Sequence, residues 1–165
     1  RPDTPSTLCG WIDDGSDLHV WHNLGVRGVW KRYLDAWCTA CESPLAFDVM
    51  AHPDLPMRFA NDGLAPDFDL TPLWDEMAAC AHDTGRRVEV STAALRKGLD
   101  DYYPASGLLQ RFAHAEVPIT FGSDAHRSCD ICWGIREAQA HAYACGYRSF
   151  DLPHASGEWE TVPLE

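Results

Sequence analysis

The chain has 165 residues, the size of one domain, and 45% of them are hydrophobic, enough to bury a core. Its formal net charge of -12 argues against a nucleic-acid surface, which wants a basic face, and no apolar run approaches the length of a membrane span. Seven cysteines, an odd number scattered over helix-like and loop-like segments, fit reduced thiols in a cytoplasmic protein better than a disulfide framework.

From Asn23 to about Cys41 the residues Val26, Val29, Trp30, Tyr33, Leu34 and Trp37 recur with a helical period, and Pro44 ends that helix. Phe47 to Ala51 is predicted as a short buried strand running into His52-Pro53. A loop rich in Pro, Asp and Gly follows from Pro53 to Leu70. Thr71 reads as an N-cap with Pro72 at the first helical position, acids Asp75 and Glu76 in the first turn, and Gly85 as the C-cap. Leu73, Met77 and Cys80 give that helix its buried face. Arg87 to Ser91 is the second strand. Beyond Tyr102-Tyr103-Pro104, Ser106 is expected to cap a helix carrying Leu108, Leu109 and Phe112. The third strand starts near Val117, runs out into Gly122-Ser123 and presents Asp124 and His126. A last helix spans Ile135 to Cys145 and stops at Gly146. Residues 147–165, with one Gly and two Pro, are expected to be a mostly irregular tail.

Strands that alternate with helices call for an α/β fold with parallel strands and right-handed crossovers. No internal repeat, low-complexity segment or linker divides the chain, which reads as a single domain. With a side-chain period of two, Asp48, Met50 and His52 share one strand face. Glu89 and Ser91 share another, and Thr120, Gly122, Asp124 and His126 a third. Each of these faces turns polar toward the C-terminal end of its strand, where parallel sheets and barrels place their sites. His52, Ser91, Asp124 and His126 are therefore expected to converge. A carboxylate and an imidazole side by side form half of a metal site. Such a centre, helped by one or two Arg, inverts the local field, so the acidic charge leaves an anionic small-molecule substrate open.

The segments Phe47–Arg58 (FDVMAHPDLPMR), Val88–Lys97 (VEVSTAALRK) and Pro118–Arg127 (PITFGSDAHR) resemble the PHP-domain histidinol-phosphate phosphatases, with spacings that also fit. The resemblance runs from about Trp11 to Leu164. It implies the C-terminal part of a distorted seven-stranded (β/α) barrel, represented here by about three parallel strands and their covering helices. It further implies a cluster of divalent metals (Zn, Mn or Fe) that hydrolyses a small phosphorylated substrate, L-histidinol phosphate in histidine biosynthesis. Carried over residue by residue, His52, Asp124 and His126 would ligate metal, with Asp124 and His126 also catalytic. Arg96, Arg127 and Ser91 would contact substrate, and Glu89 would stand beside the cluster. Another PHP phosphoesterase or exonuclease, or an inactive PHP remnant serving as a binding or structural module, stays open.

Several features depart from the family. Its opening His-x-His strand and the ligands after it are not found here, a Lys common after the Asp-Leu-Pro turn is Met57, and a His that precedes the Trp11–Asp13 segment is replaced at about Ser6. A complete barrel of this type takes roughly 250 residues. The chain therefore reads as an N-terminally truncated portion, inactive alone, whose open sheet edges invite self-association.

Cys38-x-x-Cys41 and Cys129-x-x-Cys132 superficially form a four-thiolate zinc pattern, but the first pair lies in an amphipathic helix and the second in an ordinary loop. His19, His22, His82, His114, His141 and His154 have no convergent partners in the sequence and read as surface or packing residues. Lys97 reads as a surface lysine, and Trp21, Trp30, Tyr33 and Trp37 as core.

Overall fold

A computed structural model of the chain describes residues 18–165; the positions at Ser6 and Trp11–Asp13 lie outside them. The first helix, α1 (His19–Cys41), bends at Gly25, whose φ of 66° and ψ of 165° break the helical backbone. Beyond the bend its apolar stripe is the one expected: Val29, Trp30, Leu34 and Trp37 are all buried. The chain then turns through 42–48 into β1 (Val49–Met50), shorter than the expected 47–51. Arg86 fixes that turn: its guanidinium donates to the carbonyls of Cys41 (3.1 Å), Ser43 (2.7 Å) and Phe47, and stacks 3.9 Å from the Phe47 ring centre.

The Pro- and Asp-rich stretch after β1 is not all loop. Leu55–Asp62 winds into a 3-10 helix that buries Pro56 and Phe59 and ends on Gly63 at φ 80°. Helix α2 (Thr71–Thr84) begins with Pro72 near its start and closes on Gly85 in the left-handed region, as read from the sequence. Its N-terminal amide is capped from two residues upstream, where Asp69 Oδ1 accepts from Thr71 N at 2.9 Å, and Asp75 and Glu76 fall beyond the first turn. Strand β2 (Arg87–Ser91) leads into a single-turn helix α3 (Ala93–Arg96), then α4 (Ser106–His114), β3 (Ile119–Gly122), a 3-10 turn (Ser128–Asp130) and α5 (Ile135–Ala144). Ser106 is the first helical residue rather than the cap, and the Asp101 carboxylate accepts from its amide at 2.7 Å.

The three strands form one parallel sheet in the order β1-β2-β3, with Met50 opposite Val88, Val88 opposite Ile119 and Ser91 opposite Gly122. Parallel neighbours need crossovers, supplied here by α2 and α4. Val88, Val90 and Ile119 point into a core shared with Leu34 and Trp37 of α1, Met77 and Ala81 of α2, Leu108 and Phe112 of α4, and Ala138 and Ala142 of α5. Fully burying one such aliphatic or aromatic side chain contributes about 1.5–3 kcal/mol. The sheet is therefore anchored through its apolar face, and its polar strand ends are left for other uses.

The C-terminal segment differs from expectation. Residues 147–165 are not mostly irregular: β4 (Ser149–Pro153) pairs antiparallel with β5 (Trp159–Pro163), with Asp151 opposite Thr161. Both prolines occupy strand ends, where a missing ladder hydrogen bond costs little. The hairpin docks on the parallel sheet through an edge-on contact of Phe150 with Phe121 (5.1 Å). It is also held by an Arg87–Asp151 ion pair of 2.7 Å, with the Arg87 guanidinium 4.2 Å from the Trp159 ring centre. Among the described residues no helix is long and apolar enough to cross a membrane.

Candidate functional site at the strand ends

Three side chains from the three adjacent strands meet at the C-terminal edge of the sheet. His52 follows β1, Glu89 lies within β2 and Asp124 follows β3. His52 Nδ1 is 3.0 Å from Glu89 Oε2, and His52 Nε2 is 3.5 Å from Asp124 Oδ2. His52 Nδ1 and Glu89 Oε2 are both buried and neither makes a hydrogen bond, so the 3.0 Å contact between them is an ion pair. Burial works against the protonated imidazole, but the contact with Glu89 and the charge of Asp124 outweigh it, and the His52 pKa is raised.

Local backbone geometry aims these groups. His52 and Asp124 adopt positive φ, 48° and 49°, a conformation uncommon for residues other than Gly. The Tyr33 hydroxyl donates to the His52 carbonyl at 2.5 Å, and Arg96 Nη2 donates to the carbonyls of Ser123 (2.5 Å) and Asp124 (3.0 Å). Glu89 reaches across to β3 because Gly122 has no side chain: a Cβ there would lie 1.9 Å from Glu89 Oε1.

The remaining expected residues divide. The His126 side chain is 82% exposed, its Nδ1 lies 2.9 Å from the Asp124 carbonyl oxygen, and it does not join His52. The alternation that put Asp124 and His126 on one face stops where β3 stops, at Gly122, and the positive φ of Asp124 redirects the chain. Ser91 is a correction as well. Expected to contact substrate, it is fully buried, its Oγ accepts from Ala93 N at 3.3 Å, and its backbone pairs with Tyr103. Arg96 and Arg127 both line an open cavity of about 510 Å³ next to Asp124 and His126. Arg96 also lies 3.9 Å from Asp130 Oδ2.

Sequence reasoning missed three contributors. Lys97 and Trp133 line the same cavity, and nothing in their spacing marks them. Asp54, two residues past His52, is fully buried, and its Oδ2 accepts from Ala105 N at 2.7 Å. Burial, with a further push from Asp101, raises its carboxyl to about 7. An Asp directly after His-Pro was the available signal. Of the two C-x-x-C pairs, Cys129 and Cys132 are exposed, whereas Cys41 is buried.

The donor types at the strand ends, imidazole and carboxylate, suit a divalent transition metal. The 3.5 Å between His52 Nε2 and Asp124 Oδ2 matches two neighbouring ligands of a tetrahedral ion, roughly 3.4 Å apart for bonds near 2.1 Å. Among the described residues, however, no group of three or more His, Cys, Asp and Glu is arranged to hold an ion. The pair therefore fits as part of a coordination sphere and not as a whole one.

No family model matches the chain. A Deinococcus radiodurans protein described as "Probable histidinol-phosphatase" is 29% identical over 148 residues, which are 89% of this chain and 55% of that protein. A crystal structure of hisK from Listeria monocytogenes, described as a candidate histidinol phosphatase, matches with a TM-score of 0.62 at 22% identity, over 68% of this chain and 44% of that one. The structural likeness is one of fold, and the chain spans about half the length of these relatives. Over most of its length the chain is a distant homologue of the histidinol-phosphatases.

Proposed function

We propose that this chain carries part of the active site of a metal-dependent phosphomonoesterase whose substrate is L-histidinol phosphate. The observation that carries the reading is the meeting of His52, Glu89 and Asp124 at the ends of three parallel strands, beside a cavity lined by Arg96, Lys97 and Arg127. The barrel implied by the sequence resemblance belongs to the same reading, and the likeness of fold to hisK supports it.

Each residue then has a task. Glu89 holds the His52 ring through Nδ1 and leaves Nε2 free to face Asp124, the arrangement that fixes a ligand imidazole in one orientation. Arg96 holds the loop that presents Asp124 through two carbonyls, and its charge, with those of Lys97 and Arg127, draws the phosphate oxygens into the cavity. His126, exposed at the cavity mouth, donates a proton to the leaving alkoxide. His52 and Asp124 would hold a divalent ion (Zn, Mn or Fe), which when bound would supply Lewis acidity toward the phosphoryl oxygens and lower the pKa of a water.

The test is phosphate release from L-histidinol phosphate by the full protein carrying this chain, with Mn²⁺, Zn²⁺ or Fe²⁺ and after chelation. Asp124→Ala should abolish the metal-dependent turnover. Arg96→Ala should raise KM roughly ten- to a hundredfold, the effect of losing one charge-assisted contact. Turnover that survives Asp124→Ala would refute the proposal, and an unchanged KM would remove Arg96 from the site. A second reading, an inactive PHP remnant that binds without catalysis, draws on the lack of a three-ligand group among the described residues. It predicts phosphate binding with no turnover under any metal.

A further inference from the structure

Hydrolytic chemistry leaves Trp133 unexplained. It lines the cavity with Arg96, Lys97 and Arg127, and its side chain is 43% exposed. Its backbone is nevertheless firmly held. Thr92 Oγ1 donates to the Trp133 carbonyl at 2.8 Å, and the Trp133 amide donates to the Asp130 carbonyl at 3.1 Å. Gly134 follows at φ 70°, where a Cβ would lie 3.5 Å from the Thr92 methyl group, an ordinary packing contact with the residue after β2. The Arg96 guanidinium carbon is 5.8 Å from the indole centre. The loop thus fixes a large aromatic surface, open to solvent, next to three cationic groups.

We propose that Trp133 is a specificity-determining residue: it receives a planar ring on the alcohol half of a phosphomonoester whose phosphate lies among Arg96, Lys97 and Arg127. This rests on the phosphatase reading above and deepens it. An indole face favours planar partners in offset stacking and, through its quadrupole, cationic ones. The Arg96 guanidinium itself lies over the indole, 5.8 Å from its centre, so a phosphate held by Arg96 and a ring stacked on the uncovered part of the indole can be joined by only a short chain. Asp124 and Asp130 share the cavity and repel a second anionic group, which selects a monoester over an oligonucleotide.

The experiment is calorimetric binding of methylphosphonate and benzylphosphonate to the metal-loaded full protein, two ligands that differ by a ring and cannot be hydrolysed. Wild type should bind benzylphosphonate about three- to tenfold more tightly, the worth of one aromatic stacking contact. Trp133→Ala should bring the affinity ratio to about one, and Trp133→Phe should restore most of it. Both variants should keep their circular dichroism, because every hydrogen bond named at position 133 is made by the main chain. A wild-type ratio near one, or a ratio that Trp133→Ala leaves intact, overturns the role of Trp133 while the phosphate site stands. Failure of both ligands to bind, or methylphosphonate affinity indifferent to Arg96→Ala, overturns the phosphatase reading and this inference with it.

Discussion

Gly122→Ala isolates the contact on which the strand-end geometry depends. A Cβ at position 122 would lie 1.9 Å from Glu89 Oε1, 2.9 Å from Cδ and 3.3 Å from Cγ. Gly122 is not among the residues at positive φ, so alanine meets no backbone strain and the whole cost falls on Glu89. Relief of the clash needs the carboxylate to move by about 1 Å or more, since real Cβ contacts start near 3.0 Å. That motion carries Oε2 away from His52 Nδ1, now 3.0 Å distant. Both side chains are mostly buried, so losing the ion pair should destabilise the protein by about 1–3 kcal/mol, the range for leaving a buried polar group without its partner. In a Glu89→Ala background there is no carboxylate to displace, and the same Gly122→Ala change should cost less than about 0.5 kcal/mol. Urea unfolding of wild type, both single variants and the double variant, all without added metal, measures the coupling. The expected value is at least about 1 kcal/mol; additivity to within roughly 0.5 kcal/mol would refute the reasoning.

Other consequences are open to direct measurement. The folded-state pKa of Asp54, about 7, lies above its unfolded value, so its contribution to stability is present at acid pH and is lost as pH rises from about 4 through 7. Asp54→Asn keeps an acceptor for the Ala105 amide but cannot titrate. Its melting temperature should vary less than wild type over that window and exceed it at about pH 8, and parallel profiles would rule out the assignment. Burial, with Cys80 nearby, pushes the Cys41 thiol up to about 12, leaving a thiolate fraction of about 10⁻⁴ at pH 8. Peptide mapping after iodoacetamide treatment should therefore find exposed Cys129 and Cys132 alkylated faster than Cys41 by on the order of a hundredfold or more; comparable rates would contradict the packing of α1 on α2. Arg86→Lys cannot reproduce a planar fork that serves four carbonyls, that of Leu45 included, and stacks on Phe47, and should cost about 2–3 kcal/mol in urea unfolding, with less than about 0.5 kcal/mol counting against that role.

What could be read from the sequence was what local periodicity encodes. Helix α2 announced itself through Pro72 and Gly85, and strand β2 through the alternation of Val88 and Val90 with Glu89, because those signals are complete within a few residues. That the strands run parallel followed from the alternation of element types. The β4–β5 hairpin escaped because its prolines and its turn through His154–Gly157 resemble irregular chain, and only docking of Phe150 on Phe121 gives the alternation a purpose. At the site, His52, Glu89 and Asp124 were legible as strand-end polar residues. Ser91 and His126 did not join them, for different reasons: Ser91 ends β2 as read but is buried with its hydroxyl turned to the Ala93 amide, whereas the face given to His126 extended a strand pattern past Gly122, where β3 stops. Tyr103 pairs with the backbone of Ser91, and Asp124 leaves the extended region. Lys97 and Trp133 reach the cavity only through the tertiary placement of the α3 turn and the loop after β3, for which a single sequence carries no signal.

The distribution of backbone strain ties these observations together. Four non-glycine residues among those described adopt positive φ: His52, Glu116, Asp124 and Cys132. Each such residue costs of order 1–3 kcal/mol and persists only where its surroundings over-determine it. Glu116 lies in the turn from α4 into β3, where the amide of Val117 bonds back to Phe112 and closes the helix. The other three border the candidate site, and a side chain holds the peptide group of each. Tyr33 grips the His52 carbonyl, Arg96 grips the Asp124 carbonyl, and Ser123 Oγ accepts from the Cys132 amide at 3.3 Å. Those clamps come from α1, from the turn after β2 and from the end of β3, elements whose stability derives from the core beneath the sheet. Burial of Trp37, Val88 and Phe112 thus stabilises the strained arrangement at the strand ends. Removing a clamp should leave the core intact while letting His52 or Asp124 relax out of register with Glu89.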